Sequence, residues 1–102
     1  MNYLNEILNE EQISEIEDTF DKSILINLNE ENLKSIITYL QMNHIYFIED
    51  ILMQYLDLFL IEKEQFIKRF EILKLKYSYN FVEILAHNLD ILEEMLTQNE
   101  SV

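Results

Sequence analysis

Ile16-Glu17-Asp18-Thr19-Phe20 returns as Ile48-Glu49-Asp50-Ile51-Leu52, and again, more loosely, as Phe81-Val82-Glu83-Ile84-Leu85, at two nearly equal steps. Their spacing is that of helical repeats, units that cannot bury an apolar face alone and so stack on copies of themselves. Overlaying Leu33 to Ile61 on Phe66 to Glu94 extends the match: Leu40 falls on Leu73, Tyr46 on Tyr79, Ile51 on Ile84, Leu52 on Leu85, Leu56 on Leu89 and Asp57 on Asp90.

Around these segments the apolar residues recur at helical spacing. Tyr3, Leu4, Ile7 and Leu8 mark a first short helix. Asn9 followed by Gln12 has the form of a capping box, in which each side chain satisfies a backbone N–H that the helix start leaves open; the helix behind it runs to about Phe20 with Ile13, Ile16 and Phe20 inward. A short apolar piece, Ile24 to Leu28, leads to Asn29, the expected cap of a helix from Glu30 to Gln41 that buries Leu33, Ile36, Ile37 and Leu40. The cycle then repeats: Ile48, Ile51, Leu52 and Leu56 on one helix, a short piece from Leu58 to Ile61, and a longer helix from Glu62 to Leu75 with Phe66, Phe70 and Leu73 inward. A third cycle opens at Asn80, with Glu83 in the capping-box position, and closes on a turn marked by Asp90 and Glu93 that runs to about Thr97.

The reading is an all-α, single-domain chain: a small right-handed stack of about three helical repeats, six to eight short helices in all. Residues 1–29 form the first unit with its N-terminal cap, 30–61 the second, 62–97 the third, and 98–102 a disordered tail. With 49% hydrophobic and 26% charged residues the chain lies in the globular range. It has no Gly and no Pro, hence no ready positive-φ residues for tight hairpins, phosphate loops or dinucleotide-binding turns. The abundance of Ile, Asn, Leu, Tyr and Lys, beside one Ala and one Arg, is also the bias of an AT-rich genome.

In its clearest copy the order is a helix of form Ile-x-x-Ile-Leu-x-x-x-Leu, from Ile48 to Leu56, a short apolar piece, and a longer helix of form Phe-x-x-x-Phe-x-x-Leu, from Phe66 to Leu73. This order resembles the mitochondrial transcription termination factor (mTERF) repeat over roughly Ile13 to Leu96. The resemblance implies an all-helical solenoid, and in many family members nucleic acid binds along a basic concave face. The punctuation departs from the family's: Leu56 and Leu89 stand where its repeats carry Pro, and Asn43 and Tyr77 where they carry Gly.

Charge argues against that activity here. Twenty acidic against seven basic residues give a net charge of −13, which repels phosphate backbones and anionic lipid and favours a basic protein partner. Direct nucleic-acid binding is disfavoured. Asp18, Asp50 and Glu83 hold equivalent places in the three units, as do Glu17 with Glu49 and Asp57 with Asp90, so stacking would align carboxylates in rows. The expected partner site is therefore Asp18, Glu49, Asp50, Asp57, Glu83 and Asp90, facing a groove rich in Lys and Arg as a phosphate backbone would. The plainer reading is a solvated face with helix caps.

The one candidate phosphate-binding strip is Lys63, Lys68, Arg69, Lys74 and Lys76, interleaved with Glu62, Glu64 and Glu71 in a pattern that also suits intrahelical ion pairing. Of the aromatic residues, Tyr46, Phe47, Tyr77, Tyr79 and Phe81 cluster at the turns that open the second and third short helices, either packing the seams with hydroxyls in water or anchoring a partner.

No Cys is present, and His44 and His87 are not at a helical metal-pair spacing. No metal, cofactor or enzymatic activity is expected. Met1 to Asn9 lacks the basic and apolar regions of a secretory leader, and Glu49, Asp50, Gln54 and Asp57 interrupt the longest apolar stretch, so a soluble cytoplasmic protein is expected, in a prokaryotic cell or in the host if phage-encoded. Open ends of a repeat stack predict self-association through the first helix or through Ile91, Leu92 and Met95. The functional expectation is a non-catalytic module that binds a basic protein, in its sharper form an inhibitor mimicking nucleic acid, of the phage or mobile-element anti-defence type. The alternatives are nucleic-acid binding through the Lys63 to Lys76 strip, or a structural subunit of a larger assembly.

Overall fold

The computed structural model describes residues 2–97, and the tail expected at 98–102 lies outside them. Among the described residues there are helices and no strands. The α-helices are α1 (Asn2–Ile7), α2 (Glu10–Thr19), α3 (Lys22–Asn27), α4 (Glu30–Met42), α5 (Ile48–Gln54), α6 (Lys63–Tyr77), α7 (Phe81–His87) and α8 (Glu93–Thr97). Three 3₁₀ turns join them: η1 (Leu56–Leu60), η2 (Ser78–Asn80) and η3 (Leu89–Leu92). The chain is all-α.

The local starts follow the sequence where a cap is available. Asn9 accepts from the Gln12 amide while the Gln12 side chain accepts from the Asn9 amide, a complete capping box. Asn29 accepts from the Asn32 amide and starts α4. Asn80 does not act this way. It ends η2, and its backbone (φ −89°, ψ 15°) runs straight into α7 instead of taking the extended conformation that aims a cap side chain at the helix. Asp90 with Glu93 likewise forms no cap of a last helix; Asp90 sits inside η3.

The start of α6 is capped from another helix. Glu62 makes no capping bond, and Asn32, on α4, accepts from the Lys63 amide at 2.8 Å while donating to the Ile61 carbonyl at 2.8 Å and the Phe59 carbonyl at 3.4 Å. One side chain therefore satisfies the end of η1 and the first turn of α6 together.

Units two and three break at the same place. Leu56, expected to continue α5, lies beyond a break at Tyr55 (φ −134°, ψ 43°), and Leu89 lies beyond an equivalent break at Asn88 (φ −150°, ψ 82°). In each case the chain resumes as a 3₁₀ turn, which lets Leu56 and Leu58, or Ile91 and Leu92, turn inward.

The core forms around α4 and α6. Leu33, Ile36, Ile37 and Leu40 meet Phe66, Phe70 and Leu73, with Phe59 stacked on Phe66 at 6.1 Å between ring centroids. Ile16, Ile48 and Phe81, the leading residues of the three repeated segments, are all buried in this same cluster. No polar or charged residue is buried among those described. At about 25 cal/mol per Å² of apolar area, enclosing these side chains is the main stabilising term.

The expected open ends are closed. Leu4 and Leu8 of the first helix are buried, as are Ile91, Leu92 and Met95, so the apolar surface assigned to self-association is used inside the chain. Exposed apolar side chains lie elsewhere, among them Ile26 of α3, which is 78% exposed.

Two residues take positive φ, His44 (65°) after α4 and Ser78 (67°, with ψ −158°) after α6. Ser78 lies in a region that is open almost only to glycine, because a Cβ crowds the backbone there. Ser78→Gly is expected to raise the urea midpoint, by about 1 kcal/mol of stability. Asn32→Ala is expected to cost about 1–2 kcal/mol and Asn9→Ala about 1 kcal/mol, with Asn80→Ala within about 0.5 kcal/mol of the native chain in the same denaturation series.

Candidate functional site

The predicted acidic residues lie at the surface, in different local settings. Asp18 is near the end of α2, and Glu49 and Asp50 are in the first turn of α5; all three are exposed. Glu83 is exposed on α7, and Asp57, in η1, is half-buried. Two of the six are engaged within the fold. Glu49 accepts from the Gln12 side-chain amide at 3.1 Å across the α2–α5 contact, and Asp90 accepts from the Tyr55 hydroxyl at 2.9 Å. Among the described residues, Asp18, Asp50 and Glu83 have no side-chain partner, so their charges face solvent.

The basic strip is largely consumed by the fold. Arg69 donates to the Met95 carbonyl at 2.9 Å, fastening α6 to α8. Lys74 bonds to the Asn43 side chain and to Glu71 at 3.1 Å, and Lys76 pairs with Glu94 at 2.7 Å. Of these pairings, Lys74–Glu71 alone is the intrahelical kind expected from spacing. Lys63 and Lys68 remain exposed on α6, with no hydrogen-bonded or ion-paired side chain among the described residues.

A feature that spacing did not signal is a set of tyrosine–carboxylate bonds between helices. Tyr39 of α4 donates to Glu71 of α6. Tyr55 donates to both Asp90 and Glu93 at 2.9 Å, and Tyr77 to Glu94. So the Tyr77 hydroxyl, read as a group in water, is bonded to α8. Burial and then these carboxylates push the Tyr39 and Tyr55 hydroxyls well above the ordinary tyrosine range. For Tyr77 the Glu94 bond is the leading cause of the rise. In return Tyr39 holds Glu71 below its ordinary value, and Lys76 followed by Tyr77 does the same for Glu94. Tyr39 also stands edge-on to Phe66 and Phe70, with centroids at 6.4 and 5.6 Å.

The aromatic cluster at the two turns divides. Phe47 and Phe81 are buried, whereas Tyr46 is 71% and Tyr79 is 96% exposed. Between these turns lies a groove of about 780 Å³ lined by Met42, His44, Leu75, Ser78, Tyr79 and Val82, among others. Met42 and Leu75, which share one repeat position, are 75% and 82% exposed. A second groove of about 610 Å³ lies beside Asn29, Asn32, Lys34, Phe59 and Lys63, next to the Asn32 cap.

His44 and His87 are both exposed; His87 Nδ1 lies 2.9 Å from the Glu83 carbonyl. Among the described residues no three His, Asp or Glu side chains converge as a metal site would require, and no helix is long and apolar enough to cross a membrane. Comparison with protein-family models, with curated proteins and with solved structures finds no match for this chain.

The depressed carboxylates fix the sign of the acid response. A carboxylate whose pKa is lower folded than unfolded contributes stability that is present above the ordinary value, 4.5 here, and is lost as pH falls through the depressed one. The stability gap between the native chain and Glu94→Gln, followed by urea denaturation across pH, should be widest near neutrality and shrink as pH falls below the ordinary 4.5. On the alkaline side the raised tyrosines act oppositely: the unfolded chain loses phenolic protons first, so stability falls as pH rises past the ordinary tyrosine value of 10.0.

Proposed function

We propose that this chain is a non-catalytic, acidic interaction module whose partner is a basic protein surface, docked against the surface carboxylates Asp18, Glu49, Asp50, Asp57, Glu83 and Asp90. The observation that supports this reading is the unequal use of charge. Arg69, Lys74 and Lys76 are tied to groups within the chain, while Asp18, Asp50 and Glu83 keep theirs for solvent, in a molecule of net charge −13. The field outside such a molecule is negative, which speeds encounter with cationic partners and turns away anionic ones.

The sharper form of the proposal is occupation of a nucleic-acid-binding groove, with the carboxylates standing where phosphates would. Rigid presentation favours it: the helices that carry these groups are anchored by Gln12–Glu49 and Tyr55–Asp90 bonds and by a core shared across all three units. Binding of nucleic acid by the chain itself, as the repeat resemblance would imply, is the weaker reading, because of the basic strip only Lys63 and Lys68 keep side chains outside the hydrogen bonds and ion pairs of the described residues.

The test is capture from lysate of the source cells on the immobilised chain, with elution by salt and competition by double-stranded DNA. A basic protein that is released by salt and displaced by DNA is the expected result. Asp50→Lys combined with Glu83→Lys should abolish its capture while far-ultraviolet circular dichroism stays unchanged. Retention of the same protein by the charge-reversed variant would sink the proposal.

A further inference from the structure

Four of the most exposed apolar residues repeat in position. Met42 and Tyr46 in one unit, and Leu75 and Tyr79 in the next, stand at matching repeat positions, and all four face solvent. Single exposed apolar side chains are ordinary in proteins, whereas several that share one groove are a candidate interaction surface. Met42, Leu75 and Tyr79 also line the groove of about 780 Å³ between the two turns, with Val82 beside them. Its wall is braced. Lys74 reaches Asn43 and Glu71, the Asn43 side chain returns to the Tyr39 carbonyl at 2.9 Å, and Tyr39 closes the circuit onto Glu71.

We infer that this groove seats an apolar side chain of the partner, carried on a segment whose flanking residues are Lys or Arg. This rests on the reading that the partner is basic, and adds where and by what chemistry it is anchored. Charge decides the occupant. A second copy would bring another −13 against the first, so like-charge repulsion opposes self-pairing through this edge. Lys74, the lysine at the groove, is already paired with Glu71, so it is not free to hold an anionic ligand there. Cationic flanks suit the site, because the almost fully exposed Tyr79 ring offers a cation–π face and Glu83, next to Val82 on α7, offers an unpaired carboxylate. Met42 supplies an adaptable wall, as methionine does at surfaces that receive varied side chains.

The experiment titrates the full chain, carrying labelled methionine methyl groups, with three synthetic peptides of equal length: a Leu-Phe centre flanked by Lys and Arg, the same flanks with Ser replacing Leu and Phe, and the Leu-Phe centre flanked by Glu. The first should bind at least about tenfold more tightly than the second and shift the Met42 methyl resonance, and the third should not bind. Leu75→Ser, at a residue 82% exposed, should remove that tenfold advantage without changing the weaker binding of the second peptide. Equal binding of the first two peptides, with Met42 unmoved, overturns the groove and leaves the acidic docking face standing; no binding of either overturns both. Equal binding of the Glu-flanked peptide overturns the charge argument. A Met42 shift on dilution of the chain alone, matched by a dimer in sedimentation, assigns the groove to a second copy and overturns the inference.

Discussion

The structure depends on the contact between α4 and α6. The longest helix here is α6, and α1, α3, α5 and α7 each fall short of two full turns, lengths at which an isolated helix is marginal in water. Their persistence comes from the shared apolar face of Leu33, Ile36, Ile37 and Leu40 against Phe66, Phe70 and Leu73. Other elements attach to that pair: η1 packs on α4, while α7 and α8 pack on α6. The polar links follow the same plan, since Asn32 reaches from α4 to the start of α6, and Tyr39 from α4 to Glu71 of α6.

This plan explains what the amino-acid pattern made legible. The caps at Asn9 and Asn29 could be read because both partners lie within one helical turn, and the buried faces of α4 and α6 because helical spacing is local. Asn80 carried the same signal and failed, since residues 78–80 form a 3₁₀ turn that leaves no extended cap residue. The Asn32 cap could not be read at all: its partner amide, at Lys63, belongs to a different unit, and an Asn at the third position of a helix says nothing of a distant one. The same holds for Tyr55 with Asp90 and Tyr39 with Glu71.

For the candidate site, the solvent-facing carboxylates were legible as a charge pattern, whereas the fate of the cations was not. Spacing on α6 suggested pairing along the helix, and Lys74–Glu71 follows it; Arg69 and Lys76 turn to α8 because that helix brings the Met95 carbonyl and Glu94 alongside. The groove did leave a trace. Met42 with Leu75 and Tyr46 with Tyr79 are matched by the repeat step, but that step marks core and surface positions alike until burial separates them.

Leu4 and Leu8 at one extremity and Ile91, Leu92 and Met95 at the other are folded into the interior. A true solenoid can be lengthened or trimmed by whole modules, because each contacts only its neighbours. Between the units of this chain the principal helix contacts also join neighbours, α2 with α5, α3 with η1 and α4 with α6, but the buried side chains form one continuous core, so the middle unit could not be removed without parting the other two. Its melting should accordingly be all-or-none.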